Sequence, residues 1–117
     1  MTNELENSTA KLQKQLQSLK GLTPHALLAG AFVLERYAKE NAPVDTGFLR
    51  ESIFSRQTEQ GAEVVVGANY GFYQEFGSTH NAAQPYLRPA VDEHSEDIVK
   101  AVAIQIDKDL AEKLKGG

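Results

Sequence analysis

The stretch 42-APVDTGFLRESI-53 decides how the rest of the chain is read, because Asp45-Thr46-Gly47 is the triplet that carries the catalytic carboxylate in aspartic proteases. As an active site it demands an all-β lobe around the triplet, with a second carboxylate supplied by dimerisation and one proton shared between the two. As a turn it demands only local chemistry. Pro43 fixes φ, Asp45 or Thr46 accepts a backbone amide, and Gly47 takes a conformation that other residues avoid. The flanking sequence separates the two readings.

Upstream, residues 4–20 place Leu5, Leu12, Leu16 and Leu19 on one stripe of an amphipathic helix. Gly21 stops it. A second helix is predicted over 23-TPHALLAGAFVLERYAKENA-42, with Thr23 as N-cap and Pro24 at the first helical position, where no amide bond is lost. Leu27, Ala31, Leu34 and Ala38 line one face, and Ala29-Gly30-Ala31 is a narrow patch where another backbone can come close. Asn41 and Pro43 end the helix, since proline disfavours helical geometry in the residue before it.

Downstream, 49-LRESIFSRQT-58 and 62-AEVVVGA-68 flank the polar link 59-EQG-61 and read as a β-hairpin, with Val64, Val65 and Val66 making its second strand firm. The segment 70-YGFYQEFG-77 reads equally as strand or helical turn, and 78-STHNAAQP-85 reads as a polar surface loop. From Arg88 onward Val91, Ile98, Val102, Ile106 and Leu110 recur at helical spacing, with Pro89 tolerated in the first turn. Too few strands remain for a protease lobe, and Pro43 stands where a strand should donate ladder bonds. The triplet is therefore read as a turn, with Asp45 placed to cap residues 49–52.

The expected fold class is α+β: a small antiparallel β-sheet packed against two or three α-helices, with a long C-terminal helix. Residues 1–22 are read as an N-terminal helix or arm and 23–115 as a single domain. A small sheet leaves unpaired edges, which favours side-by-side self-association.

At 117 residues the chain has room for one core, and 41% hydrophobic with 24% charged residues is an ordinary globular balance. The absence of cysteine excludes disulfides and thiolate chemistry and fits a reducing interior. No apolar run approaches a membrane span, and 1-MTNELENSTAKL-12 lacks the basic flank and apolar stretch of a signal peptide, so residence in the cytosol is expected. A net charge of −4, with Lys11, Lys14, Lys20, Lys108, Lys113 and Lys115 interleaved among acids and polar residues, argues against tight wrapping of nucleic acid.

Other candidate sites are weak. His25, His80 and His94 have no metal-ligand spacing and would have to be gathered by folding with Glu75 or Asp92. Ser78, His80 and Glu75 are too close in sequence for triad geometry and lack a nucleophile elbow. No catalytic, metal or cofactor-binding residue is assigned, and no cofactor is expected. The aromatic group Tyr70, Phe72, Tyr73, Phe76 and Tyr86, with Arg88 nearby, is read as core or interface packing rather than as a base-stacking platform.

Two stretches together, 43-PVDTGFLRESI-53 and 67-GANYGFYQEFGSTHNAAQPYLRPAV-91, resemble the tail-completion (head–tail joining, neck) proteins of long-tailed bacteriophages. The resemblance covers roughly residues 24–110 and rests on three motifs in order: Val-Asp-Thr-Gly-x-Leu-Arg-x-Ser-Ile, Tyr-x-x-x-x-Glu-Phe-Gly and Pro-Tyr-Leu-Arg-Pro-Ala. It implies a structural, non-enzymatic protein that forms a hexameric homo-oligomeric ring at the head–tail junction. DNA passes through the lumen without sequence-specific binding, and no membrane is involved. The implied partners are the phage connector or stopper and the tail-terminator or tail-tube proteins. The implied place is the neck or tail of the virion, assembled in the host bacterial cytoplasm.

Carried over by position, Asp45, Thr46, Gly47, Leu49, Arg50 and Ser52 match the first motif, Tyr73, Glu75, Phe76 and Gly77 the second, and Pro85, Leu87, Arg88, Pro89 and Ala90 the third. The resemblance marks these as interface or motif positions. Arg50, Glu75 and Arg88 are the informative set, since a carboxylate and two guanidinium groups pair bidentately within a subunit or between neighbours. The first 20 residues lie outside the strongest part of the resemblance, and 78-STHNAAQ-84 departs from shorter variants of the pattern. Two alternatives of other classes remain: a small dimeric aspartic-type or metal-dependent hydrolase, and a monomeric adaptor or nucleic-acid-binding module.

Overall fold

Gly21 and Thr23 make the first corner of the chain. Gly21 has φ of 82°, in the left-handed region that glycine enters without steric cost. Two residues later the Thr23 side chain caps the next helix, with Ala26 N donating to Thr23 Oγ1 at 3.1 Å. In the computed structural model, which describes residues 4–41, 51–66, 72–75, 79–80 and 87–116, this corner joins α1 (Glu4–Gln17) to α2 (Pro24–Asn41). The first helix is thus three residues shorter than its leucine spacing suggested. Leu19 N donates to Leu16 O at 3.0 Å and Ser18 Oγ to Gln15 O at 2.7 Å, so a tight turn replaces its last helical bonds.

Four strands follow: β1 (Ile53–Gln57), β2 (Ala62–Val66), β3 (Phe72–Glu75) and β4 (Thr79–His80), then α3 (Leu87–Lys115). The strands form one antiparallel meander in the order β1-β2-β3-β4. The β1–β2 hairpin closes where Thr58 N donates to Gly61 O at 2.8 Å, while Gly61 N faces Thr58 Oγ1 at 3.0 Å. The ambiguous segment around residue 72 is therefore a strand. Residues 79–80, read as part of a polar loop, instead form β4, because pairing of Tyr73 with His80 and Gln74 with Thr79 satisfies their backbone through the sheet. Polar composition decides nothing once a neighbouring strand supplies the bonds.

The helices cover one side of this sheet. Ile53, Ala62 and Val64 are buried against α2, and Ser55 Oγ donates to Ala31 O at 3.0 Å, tying β1 to the middle of that helix. The face of α2 expected from spacing is the one that is buried: Leu27, Ala31, Leu34 and Ala38, joined by Ala26 and Gly30. Gly30 is the point of closest approach to α3, where a Cβ would lie 2.6 Å from Val102 Cγ2 and 3.2 Å from Ile98 Cγ2. Leu12 and Leu16 of α1 belong to the same core as Val91, Ile98 and Val102 of α3.

Two features of α3 depart from a straight core helix. At His94 the backbone (φ −123°, ψ 18°) leaves helical geometry and kinks the element. With 29 residues α3 is about 43 Å long, against about 27 Å for the 18 residues of α2. The excess projects beyond the α1–α2 corner. Leu110, expected on the core stripe, is consequently 54% exposed, and Leu114 is 77% exposed.

Candidate assembly surface

The side of the sheet turned away from the helices begins at Phe54, which is 45% exposed. Register puts Val65 opposite Phe54, Tyr73 opposite Val65 and His80 opposite Tyr73, a row that crosses all four strands. A second row starts at Arg56, opposite Glu63, which is itself opposite Glu75. Arg56 Nε donates to Glu63 Oε1, so the buried carboxylate of Glu63 has a guanidinium partner that is largely open to solvent. Glu75, which the motif resemblance grouped with Arg50 and Arg88, thus stands beside a carboxylate already engaged by Arg56.

Arg56 and Glu63 were not singled out from the sequence. Only the hairpin register makes them neighbours. The alternation in 53-IFSRQ-57 is the one local signal that sets Arg56 apart from the core-facing Ile53. On the helix side, Ser55 and Ala31 are bonded, and their chain neighbours Phe54 and Phe32 are both exposed, Phe32 by 52%. Two large apolar side chains therefore flank the β1–α2 contact.

Two polar clusters tie α2 to α3. The Tyr37 ring stacks on His94 with centroids 3.3 Å apart and planes within 1°, and the Tyr37 hydroxyl donates to Asp97 Oδ2 at 3.0 Å. Arg36 Nη2 donates to the Tyr37 oxygen at 2.8 Å, and its guanidinium carbon lies 4.6 Å from the ring centroid. Towards the start of α2, His25 Nδ1 lies 2.9 Å from Asp109 Oδ2, and Gln105 Nε2 donates to Asp109 Oδ1 at 2.8 Å. The bond from His25, and after it the bond from Gln105, holds the Asp109 carboxyl below its usual range. His25, in the first turn of α2, and His94, on α3 against Tyr37, thus mark opposite ends of the α2–α3 contact, and His80 is on β4, paired with Tyr73.

Comparison with known protein families matches residues 6–77 to the family described as "Bacteriophage HK97-gp10, putative tail-component". The match spans well over half of the chain. This protein belongs to the HK97-gp10-like family. No curated protein and no solved structure matches the chain.

As an HK97-gp10-like protein it is a structural component of the bacteriophage tail, and so of the virion. Its described helices include none long and apolar enough to cross a membrane. The match starts at residue 6 and therefore includes α1, which the motif resemblance had left outside; it ends at residue 77, before the third motif. Of the motif positions, Tyr73 and Glu75 lie on β3, and Leu87 and Arg88 open α3. Pro89 is the third residue of α3 and half-buried, in the first turn where a missing amide costs no intrahelical bond. Asp45, Thr46, Gly47, Leu49, Arg50, Phe76, Gly77 and Pro85 lie outside the described residues. The chain leading towards the Asp-Thr-Gly triplet is α2, a helix where a protease lobe needs a strand.

Proposed function

We propose that this tail component works as a homo-oligomeric ring in the neck, at the head–tail junction, with DNA passing through its lumen. The observation that carries this reading is the distribution of large apolar side chains on the surface of a family member that has to assemble. Phe32 and Phe54 flank the β1–α2 contact, while Leu110 and Leu114 lie on the projecting end of α3. These exposed apolar side chains serve contacts between copies and contacts with the neighbouring virion proteins, the connector or stopper and the tail-terminator or tail-tube protein. A heterologous contact between copies closes into a ring only when the rotation per subunit fits. The net charge of −4 suits a lumen that repels DNA and lets it slide.

In this reading residues 1–22 act as a docking helix, anchored by Leu12 and Leu16 to the assembling domain of residues 23–115. The motif residues Asp45, Thr46 and Gly47 shape a loop, and Arg50 and Arg88 pair with the Glu75 carboxylate within a subunit or between neighbours of the ring. Light scattering after size exclusion over a concentration series, with electron microscopy of the largest species, tests the proposal. A closed ring of about six copies is the expected result. A stable dimer would instead direct attention to a shared-carboxylate enzyme, checked with Asp45→Asn. Glu75→Ala is expected to weaken the ring or the subunit, and a variant that matches the parent in both removes Glu75 from the interface.

A further inference from the structure

Strand β1 (Ile53–Gln57) is an edge of the sheet, and among the described residues its one strand neighbour is β2. Thr58 and Gly61 exchange both backbone bonds at the hairpin, and bonded and non-bonded pairs alternate along an antiparallel ladder. Arg56–Glu63 and Phe54–Val65 are therefore bonded pairs, while Ile53, Ser55 and Gln57 turn their N–H and C=O groups away from β2. Proteins blunt such an edge with proline, lysine or a bulge. β1 has none of these: its register with β2 is unbroken, and Phe54 stands 45% exposed near its middle.

The edge is apolar on both sides. Phe54 lies on the sheet face turned away from the helices. Phe32 follows Gly30, which faces α3, by two residues or about 200° of helical turn, so it lies on the side of α2 away from α3. Helix α2 covers β1 and β2 while α1, packed on α3, reaches β4 at the other end of the sheet, so that side of α2 is the side of the β1 edge. A strand added to β1 is thus flanked by one phenylalanine on each face.

We propose that this strand is β1 of a second copy, run antiparallel about a twofold axis at Ser55. In that register the whole strand pairs: Ser55 with Ser55, Ile53 with Gln57, and Phe54 with Arg56. The outward-turned backbone groups fall in bonded pairs, and Phe54 faces Arg56 in the non-bonded pairs, where Cα atoms are about 4.5 Å apart and side chains are closest. The Arg56 guanidinium, whose Nε is held by Glu63, lies against the second copy's Phe54 ring, a cation–π pair made twice over. The two Phe54 rings are diagonal neighbours within reach of each other. Glu51 and Glu59 are both exposed and lie beyond the paired strands, where solvent screens them. The contact goes beyond the ring proposed above and does not depend on it, because it is isologous and joins copies two by two.

Cross-linking tests the pair. The chain has no cysteine of its own, so an introduced thiol has no competitor. Phe54→Cys chains mixed with Arg56→Cys chains and treated with a mild oxidant are expected to give a covalent dimer containing one of each, since residues opposite one another in a non-bonded pair are within disulfide reach. Neither chain alone is expected to cross-link, because in this register each thiol faces an unchanged side chain. Gln57→Pro removes an outward-turned amide and no bond to β2; two bonds per pair are lost, so pairing measured by sedimentation is expected to weaken at least about tenfold with an unchanged melting temperature. A mixture that gives no covalent dimer, cross-linking as strong in either chain alone, or unaltered pairing in Gln57→Pro overturns the contact. The mass of the parent chain decides the ring separately: a ring whose mixed chains do not cross-link removes only this pair, and a cross-linked pair that grows no further removes only the ring.

Discussion

Val102 closes directly on Gly30: a Cβ added to that glycine would stand 2.6 Å from Val102 Cγ2. Val102 is fully buried and β-branched, so its methyl groups have little freedom to move aside. In an isolated helix Gly→Ala gains about 0.5–1 kcal/mol. Overpacking a core costs about 1–3 kcal/mol, which outweighs that gain. Gly30→Ala is therefore expected to lower the denaturation midpoint, and combining it with Val102→Ala to recover part of the loss. Urea unfolding of the single and double variants checks both effects.

The Asp109 carboxyl is held down by His25 and Gln105, so its contribution to stability follows pH in a defined direction. A carboxyl that is harder to protonate when folded stabilises the fold above its unfolded value, about 4, and that stabilisation fades as pH falls through the lower folded value. Asp109→Asn should therefore separate from the parent in melting temperature above about pH 4 and converge with it in stronger acid. Thermal melts across the acid range test the sign. A gap that widens towards low pH contradicts it. In a direct NMR titration, His25→Ala should raise the Asp109 midpoint more than Gln105→Ala.

Glu63 is 3% exposed and bound by Arg56, whose own side chain is mostly in solvent. Removing Arg56 leaves a buried carboxylate without that donor. Solvent screening at the exposed guanidinium limits the effect, and Arg56→Ala is expected to cost about 1–3 kcal/mol. Replacing both, Arg56→Ala with Glu63→Gln, should cost less than Arg56→Ala alone, since the charge is gone as well. Denaturant midpoints of the three variants decide; equal losses in the single and double variants would show that the charge on Glu63 is immaterial.

Local chemistry made much of the fold legible. The Thr23-Pro24 start of α2, its buried face from Leu27 to Ala38, the hairpin around residues 58–61 and the helical run of Val91, Ile98 and Val102 all follow from periodicity and capping within a few residues. Even the close approach at Gly30 was visible as a run of small side chains. The bend at His94 was not, since its stacking partner Tyr37 lies in another helix. Nor was the exposure of Leu110, because helical spacing says which face is apolar and not how far the neighbouring helices extend.

The assembly surface divides the same way. The three motifs were readable as strings and pointed to phage tail assembly, consistent with the family to which the chain belongs. Strand β4, the Arg56–Glu63 pair, the Glu63–Glu75 neighbourhood and the His25–Asp109 bond needed the tertiary structure, since each joins groups that only register or helix packing brings together. The sequence by itself determined the helices, the hairpin and the kind of protein, because those rest on interactions between near neighbours in the chain. Tertiary structure alone decided which charges meet and which apolar side chains remain uncovered, because both depend on where distant segments end against one another.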